Sequence, residues 1–174
     1  APGLRFIKDA NAPRHTGTTL TVVNGTIQGG KGVTGVGSMH GAAGVETAAD
    51  ANAPTNAKII VGKDAKILGG NGANAKDNSG ENGGNGGVGI QGAITVTVLE
   101  GGSVKGGNGG NGANVTDGTE KATGTGGQGG KGTEITTPAT TTGNLIADGQ
   151  PGKDGVRGDT PNPPQPPQED EKHT

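Results

Sequence analysis

The chain has 174 residues, of which 40 are Gly, and a formal net charge of -2. Apolar residues other than Gly make up 26%, with one Phe and no Trp, Tyr or Cys. The lack of Cys excludes disulfides, zinc–thiolate sites and thiol nucleophiles, and so few apolar residues argue against a conventional side-chain core. The near-neutral charge and the lack of stacking aromatics argue against nucleic-acid binding. No apolar stretch approaches the roughly 18 residues of a membrane span.

Low hydrophobicity by itself suggests a disordered chain, but disordered chains usually combine it with a high net charge. Here the charge is nearly balanced, and the apolar residues cluster directly before runs of Gly. We therefore predict an ordered structure with almost no α-helix.

In chain order, residues 1–18 are predicted to form a lead-in or cap, with Phe6 as an apolar plug. From residue 19 to 27, β-branched and polar residues alternate, which is typical of a half-buried strand. Asn24-Gly25 is a turn signal within that run. Residues 57–68 form a second predicted strand region, interrupted near Gly62.

A sequence pattern recurs along the chain. Ile27 begins the run I-Q-G-G-K-G, which is matched by I-L-G-G-N-G from Ile67 and by V-K-G-G-N-G from Val104. Repeats of about 20 to 50 residues indicate arrays in which each unit buries its surface on the next. We predict a Gly-rich repeat domain at 19–158, with units near 19–56, 57–93, 94–142 and 143–158.

The Gly runs have a period of three, most clearly in G-G-N-G-G-N-G-A-N from Gly106 to Asn114. This period matches an extended left-handed helix with three residues per turn, a rise of about 3.1 Å and no internal hydrogen bonds. We predict that such polyglycine-II helices stack laterally. Together with the short strands they would form an all-β or irregular solenoid or sandwich.

The first Gly of each triplet is the candidate structural column. Ala replaces the second Gly at Ala73 and Ala113, which suggests that the first Gly faces inward. The predicted column comprises Gly29, Gly32, Gly69, Gly72, Gly83, Gly86, Gly106, Gly109, Gly112, Gly126 and Gly129. Third positions are predicted to point outward or to cap a bare carbonyl; they include Asn71, Asn74, Asn85, Asn108, Asn111 and Asn114.

Residues 159–174 differ in character, with a Pro-rich spacer at 161–167 and then a charged tail. Such a spacer is semi-rigid and extended. Just before it, Gly149 to Thr160 has Gly at every third position. A collagen triple helix requires a long unbroken Gly-X-Y run with abundant Pro, so this short stretch argues against one.

No pattern in the sequence indicates catalysis. The Gly runs carry no G-K-[ST] phosphate-binding motif, and the place of Asp in Ca²⁺-binding Gly-rich repeats holds Ala73-Asn74 or Gly110-Asn111. The three His residues are far apart in the sequence. We predict no enzymatic activity, no cofactor and no metal.

Two sets of exposed residues are candidates for recognition. The first comprises the polar loops between Gly runs, with Lys76, Asp77, Asn78, Glu81, Asp117, Glu120 and Lys121. The second comprises Thr residues near Thr95, Thr97 and Thr140 that would present a flat hydroxyl face, which makes ice binding a minor alternative.

The strand-then-Gly run from Leu20 to Gly30, L-T-V-V-N-G-T-I-Q-G-G, resembles two groups of proteins over about residues 19–158. One is the Gly-rich receptor-binding tips of T-even-like phage long tail fibres, and this resemblance implies stacked polyglycine-II helices with loops that bind a host surface. The other is the bacterial surface and secreted β-solenoids, including autotransporter passengers.

From these observations we predict a non-enzymatic extracellular or cell-surface structural protein, a stalk or fibre subunit. Structure is favoured over recognition because aromatic anchor residues, which dominate many interfaces, are lacking. A receptor-binding adhesin is the alternative. The expected partners are further copies of the chain, or a host surface or polysaccharide, and not nucleic acid.

Overall fold

The computed structural model describes residues 1–6, 18–35, 39–47, 57–116, 118, 121–135, 140–141 and 145–158. In these residues the chain forms ten β-strands and no helix, which confirms the predicted all-β class. The strands are β1 (Leu4–Phe6), β2 (Thr19–Gln28), β3 (Val45–Thr47), β4 (Ala57–Leu68), β5 (Ile90–Gly92), β6 (Ile94–Val98), β7 (Ser103–Lys105), β8 (Thr133–Ile135), β9 (Thr140–Thr141) and β10 (Ile146–Ala147). The predicted tail, together with Asp117 and Glu120 of the predicted loops, lies outside the described residues.

Parallel pairing builds two sheets. The first is four-stranded, with the order β1-β3-β5-β8. The second sheet is built around β4. Along one edge of β4 lies β2; along its other edge lie β6, beside the first half of β4, and β7, beside its end. β9 continues this sheet beside β6, and β10 continues it beside β7. Since parallel strands need a crossover connection, the chain leaves each sheet and returns between consecutive strands.

The longest strand, β4, shows how the sequence produces these sheets. Its side chains alternate in exposure, so that Ile59 and Ile67 are fully buried while Lys66 is exposed. The strand is continuous from Ala57 to Leu68, and the predicted interruption near Gly62 is therefore wrong. Two residues of β4 oppose one residue of β2 at that point, which is the arrangement of a β-bulge.

The apolar core lies between the two sheets, because its buried side chains come from both. Fully burying a Val or Ile side chain contributes about 1.5–3 kcal/mol. The cluster contains Val45, Ala57, Ile59, Val61, Ala65, Ile67, Ile90, Ile94, Val96, Val98 and Val104. Phe6 is half-buried and packs against this cluster.

The Gly-rich residues form eight extended segments, each continuous with a strand or its neighbouring residues. Four segments precede the strands of the first sheet: s1 (1–3), s3 (39–44), s5 (81–89) and s7 (121–132). Four follow strands of the second sheet: s2 (29–34), s4 (69–78), s6 (106–116) and s8 (148–158). We call these two sets the first and the second layer.

The segments bond to one another through their backbones, with a spacing of three residues. Within the second layer, for example, Gly69, Gly72 and Ala75 donate to the carbonyls of Lys105, Asn108 and Asn111 at 2.8 Å. Between layers, the N–H of the second residue of a triplet donates to a backbone carbonyl of the segment that comes before it in the chain. The first layer therefore lies against the second mainly through backbone hydrogen bonds.

Candidate functional site

Each glycine of the predicted structural column occupies the first position of a triplet and faces the next segment in the opposite layer. A Cβ on any of them would lie closer than 3.0 Å to a backbone carbonyl oxygen; for Gly106 that oxygen belongs to Gly130. None of these glycines has a positive φ. Glycine is therefore required at these positions by the close approach of another backbone, not by an unusual backbone conformation.

The second position of the triplet packs as closely as the first. A Cβ on Gly107 or Gly110 would also lie closer than 3.0 Å to a carbonyl, here within its own layer. Ala113, at the same position of the next triplet, is fully buried. The prediction that only the first column faces inward is therefore wrong, because the two columns face different neighbouring segments.

The third position points outward, and its backbone N–H is capped by a side chain of the neighbouring segment. The Asn108 N–H donates to Asn71 Oδ1 at 2.9 Å, and the Gln150 N–H donates to Asn108 Oδ1 at 3.0 Å. The same ladder repeats one triplet later through Asn74 and Asn111. These Asn oxygens cap N–H groups, so the predicted alternative that the side chains cap bare carbonyls is wrong.

The first layer carries a shorter version of this ladder. Asn82 Oδ1 accepts from the Thr125 N–H, and Asn85 Oδ1 accepts from the Gln128 N–H. The N–H of Asn85 itself donates to the imidazole Nδ1 of His40 at 2.9 Å. Where the third residue of a triplet is Asn, its side-chain oxygen thus caps a third-position N–H of the neighbouring segment.

The edge formed by s7 and s8 is closed by two carboxylates and a proline. The first positions of s8 are Asp148, Pro151 and Asp154 instead of Gly. Asp148 Oδ1 accepts from the Gly132 N–H at 2.8 Å, and Asp154 Oδ1 accepts from the Gly126 N–H at 2.7 Å. Pro has no N–H to offer. Two donors of s7 are therefore occupied by these carboxylates, and position 151 of s8 offers none.

The predicted loops meet at the free end of the Gly segments, where Asn78 connects them. Its N–H donates to the carbonyl of Asn114, and its Oδ1 accepts from the Thr116 N–H, each at 2.7 Å. Lys121 Nζ donates to the Asn78 carbonyl at 2.9 Å. Asn78 has a φ of 62°, a left-handed conformation that Asn tolerates. Lys76 accepts from Ser79 in the same turn.

Two further residues of the predicted loops lie close by. Asp77 Oδ1 accepts from the side-chain amide of Asn114 at 3.0 Å. Glu81 lines an open depression of about 620 Å³ on the first-layer side of this end, together with Met39, His40, Gly80, Asn82, Gly83 and Gly84. The loop end thus holds an ordered set of polar groups beside a shallow recess.

The Thr residues lie on the outward face of the second sheet but do not form an unbroken hydroxyl array. One row of paired residues reads Thr21, Ile60, Thr97 and Thr140. The neighbouring row places Lys58 between Thr19 and Thr95. An apolar and a charged side chain therefore interrupt the surface on which the ice-binding alternative depends.

Among the described residues there is no group of three or more His, Asp or Glu side chains that could hold a metal ion. In the same residues, no helix is suited to crossing a membrane.

No protein-family model matches this chain, and no curated protein is significantly similar to it. Among solved structures, the nine-helix polyproline type II bundle of a springtail antifreeze protein from Granisotoma rainieri is similar at 23% sequence identity. That match covers 76% of this chain and 95% of the springtail chain, with a TM-score of 0.23. A TM-score this low does not establish a shared fold.

Proposed function

We propose that this chain is a non-enzymatic extracellular structural module, a stalk built as a Gly-rich repeat array of polyglycine-II helices that continue into β-strands. The observation that supports it is the bonding of the triplet. Its first N–H bonds within the layer, its second bonds across the layers, and its third is capped by an Asn side chain. A bundle bonded in three directions is stiff without side-chain packing, which suits a spacer that holds other groups at a distance.

The closed edge at s8 supports a stalk over a filament that grows sideways. Open β edges recruit further chains through unpaired backbone groups, and natural proteins block them with Pro and charged residues. Here Pro151 removes one donor, while Asp148 and Asp154 occupy two others. Lateral growth by backbone pairing is therefore disfavoured at this edge.

Sedimentation and imaging test this proposal. Residues 57–76 run through β4 and the extended part of s4, and at about 3.2 Å per residue they span roughly 64 Å. We expect sedimentation velocity to give one species and negative-stain images to show short rods of about that length. Filaments formed by the unmodified chain would contradict the stalk and restore the fibre-subunit alternative.

A variant sharpens the test of the closed edge. Replacing Asp148, Pro151 and Asp154 together with Gly frees two donors of s7 and adds one backbone N–H on s8, at position 151. We expect this variant to self-associate at concentrations where the unmodified chain does not. A control with Gln150→Gly and Lys153→Gly, on outward positions of the same segment, should remain a single species.

An adhesin that binds through the loop end is the second candidate. It is supported by the hydrogen bonds that join Asn78, Thr116 and Lys121. Loops that are already ordered by such bonds lose less conformational entropy when a ligand binds. The recess beside Glu81 supplies a place for a ligand. In this proposal the bundle is the support and the loop end contacts a host surface or polysaccharide.

The adhesin is tested with two variants that each remove one cation and one anion. Lys76→Ser with Glu81→Ser alters the loop end, whereas Lys131→Ser with Glu134→Ser removes an exposed ion pair beside β8. Binding to a panel of bacterial cells and purified polysaccharides should fall at least tenfold for the first variant only. Equal binding by both variants would exclude the loop end as the contact surface.

A further inference from the structure

The structure distributes charge unequally between the two layers, although the chain as a whole is nearly neutral. On the first-layer side, Arg5 pairs with Glu46 at 3.3 Å, and Lys131 pairs with Glu134 at 3.4 Å. These two cations are paired with carboxylates. The outward side of the second layer is different.

Four lysines project outward from the second layer and the strands that lead into it, and we call this surface the lysine face: Lys31, Lys66, Lys105 and Lys153. All four are exposed. Lys66 and Lys105 alternate with the buried side chains of Ile67 and Val104, so they must point away from the core. Among the described residues, none of the four ammonium groups forms an ion pair with a carboxylate.

The amides between these lysines also present donors. Asn71, Asn74, Asn108 and Asn111 each use Oδ1 to accept a backbone N–H. The remaining NH₂ group of an Asn side chain is a donor only. The lysine face therefore combines ammonium and amide donors, while the acceptors of its amides are already occupied.

The carboxylates of the same layer are engaged elsewhere. Asp148 and Asp154 bond to N–H groups of s7 at the closed edge. Asp77 lies at the loop end and accepts from Asn114. These three acidic side chains each have a partner other than the four lysines, whereas Asp64 is exposed on β4 two residues before Lys66.

The donors of the lysine face form a regular lattice. Lys31 shares a row with Asn71 and Asn108, and Lys153 lies in the row of Asn111, one triplet further along. Successive rows are about 9.3 Å apart, since three residues each rise about 3.1 Å. Neighbouring segments of a sheet are about 4.8 Å apart. The surface is donor-rich over several rows.

We propose that the lysine face binds a linear acidic polysaccharide, such as a polyuronate, with its carboxylates on the lysines and its hydroxyl oxygens on the Asn amides. Charge complementarity and the excess of donors on the face are the basis of this assignment. Nucleic acid fits less well, because the face has no aromatic side chain on which bases could stack. The proposal concerns a different surface from the loop end and goes beyond the stalk function.

The test compares two variants of the full chain with equal changes in net charge. Lys66→Gln, Lys105→Gln and Lys153→Gln alter the lysine face, and Lys76→Gln, Lys121→Gln and Lys131→Gln serve as the control. Binding to polygalacturonate, neutral dextran and duplex DNA is measured at 50 and 300 mM NaCl. We expect the unmodified chain and the control to bind polygalacturonate, and the face variant to bind at least tenfold more weakly.

Dextran should not bind, and salt should weaken polygalacturonate binding because ionic strength screens exposed charges. Equal losses in the two variants would overturn the proposal in favour of a bulk charge effect. DNA binding as tight as polygalacturonate binding would overturn the assignment of the polymer class. A larger loss of polygalacturonate binding in the control than in the face variant would indicate that the polymer binds at the loop end instead.

The chain offers one anionic competitor of its own, since residues 159–174 hold four of the 16 acidic residues and one of the 14 basic residues. Neutralising Glu169→Gln, Asp170→Asn and Glu171→Gln in the full chain should change polygalacturonate binding less than threefold. If polygalacturonate binding instead rose tenfold or more, the acidic segment, and not a polysaccharide, would be the occupant of the lysine face.

Discussion

The strand half and the Gly half of this molecule are stabilised in different ways, although the same stretches of chain run through both. β4 buries Ile59, Val61 and Ile67 in a core shared by two sheets. Its continuation s4 contributes little to that core and instead donates backbone N–H groups to two neighbouring segments. The change occurs at Leu68-Gly69, where alternation of side chains gives way to triplets.

This comparison shows what glycine contributes in a bundle of extended segments. Glycine loses more conformational entropy on folding than any other residue, by roughly 0.5–1 kcal/mol relative to Ala. The compensation lies in backbone hydrogen bonds, each with a net contribution of about 0.5–1.5 kcal/mol. Those bonds require segments so close that no Cβ fits between them. Substitutions in the Gly half should therefore act by steric clash, and those in the strand half by graded loss of buried area.

The largest effect is expected from a side chain in the Gly columns. In Gly107→Val the new Cβ would meet the carbonyl of Gly70, a backbone atom that cannot rotate away. We expect a loss of stability of more than about 3 kcal/mol, at or beyond the upper end of ordinary overpacking. Asn108→Val, at the outward position of the same triplet, is the matched control for thermal and denaturant unfolding. An unchanged melting temperature for Gly107→Val would mean that the segment is a linker.

A smaller and graded effect is expected in the strand half. Ile67 is fully buried, and Ile67→Ala should cost about 2–5 kcal/mol, whereas Ile67→Val should cost about 0.5–1.5 kcal/mol. Denaturant unfolding of the two variants measures this gradient. If Ile67→Val were as damaging as Gly107→Val, the contrast between clash and buried area would fail.

The smallest effect is expected in the Asn ladder. Asn111→Ala removes the acceptor for the Lys153 N–H and should cost about 1 kcal/mol, the usual net contribution of one hydrogen bond. Asn111→Asp should cost less, because Asp77 already serves as such an acceptor for Asn114 in the same layer. Equal losses for Ala and Asp would show that the amide has a role other than capping.

Several features of the fold were predictable because they depend on short stretches of sequence. The strand regions at 19–27 and 57–68 follow from β-branched residues before each Gly run, and the extended Gly segments follow from their period of three. The continuity of β4 past Gly62 was not predictable. A bulge can be recognised only once β2 lies alongside.

The candidate site was predictable in part. Lys76, Asp77, Asn78, Glu81 and Lys121 could be identified as loop residues, since they interrupt the Gly runs with polar side chains. That Asn78 joins two loops was not predictable, because its partners are 36 to 43 residues away along the chain. The lysine face was missed for the same reason, as net charge does not report which side of a sheet a lysine occupies.

The sequence alone indicated extended segments, almost no α-helix and Gly runs with a period of three. Those are local properties of Gly spacing and of alternating β-branched residues. Only the tertiary structure decided which neighbour each Gly faces, that the Asn side chains cap N–H groups, and that Asp148 and Asp154 close one edge. The physical reason is that an extended segment has no internal hydrogen bonds. Each of its polar groups is satisfied by a partner remote in sequence, and the identity of that partner is set by the way the layers stack.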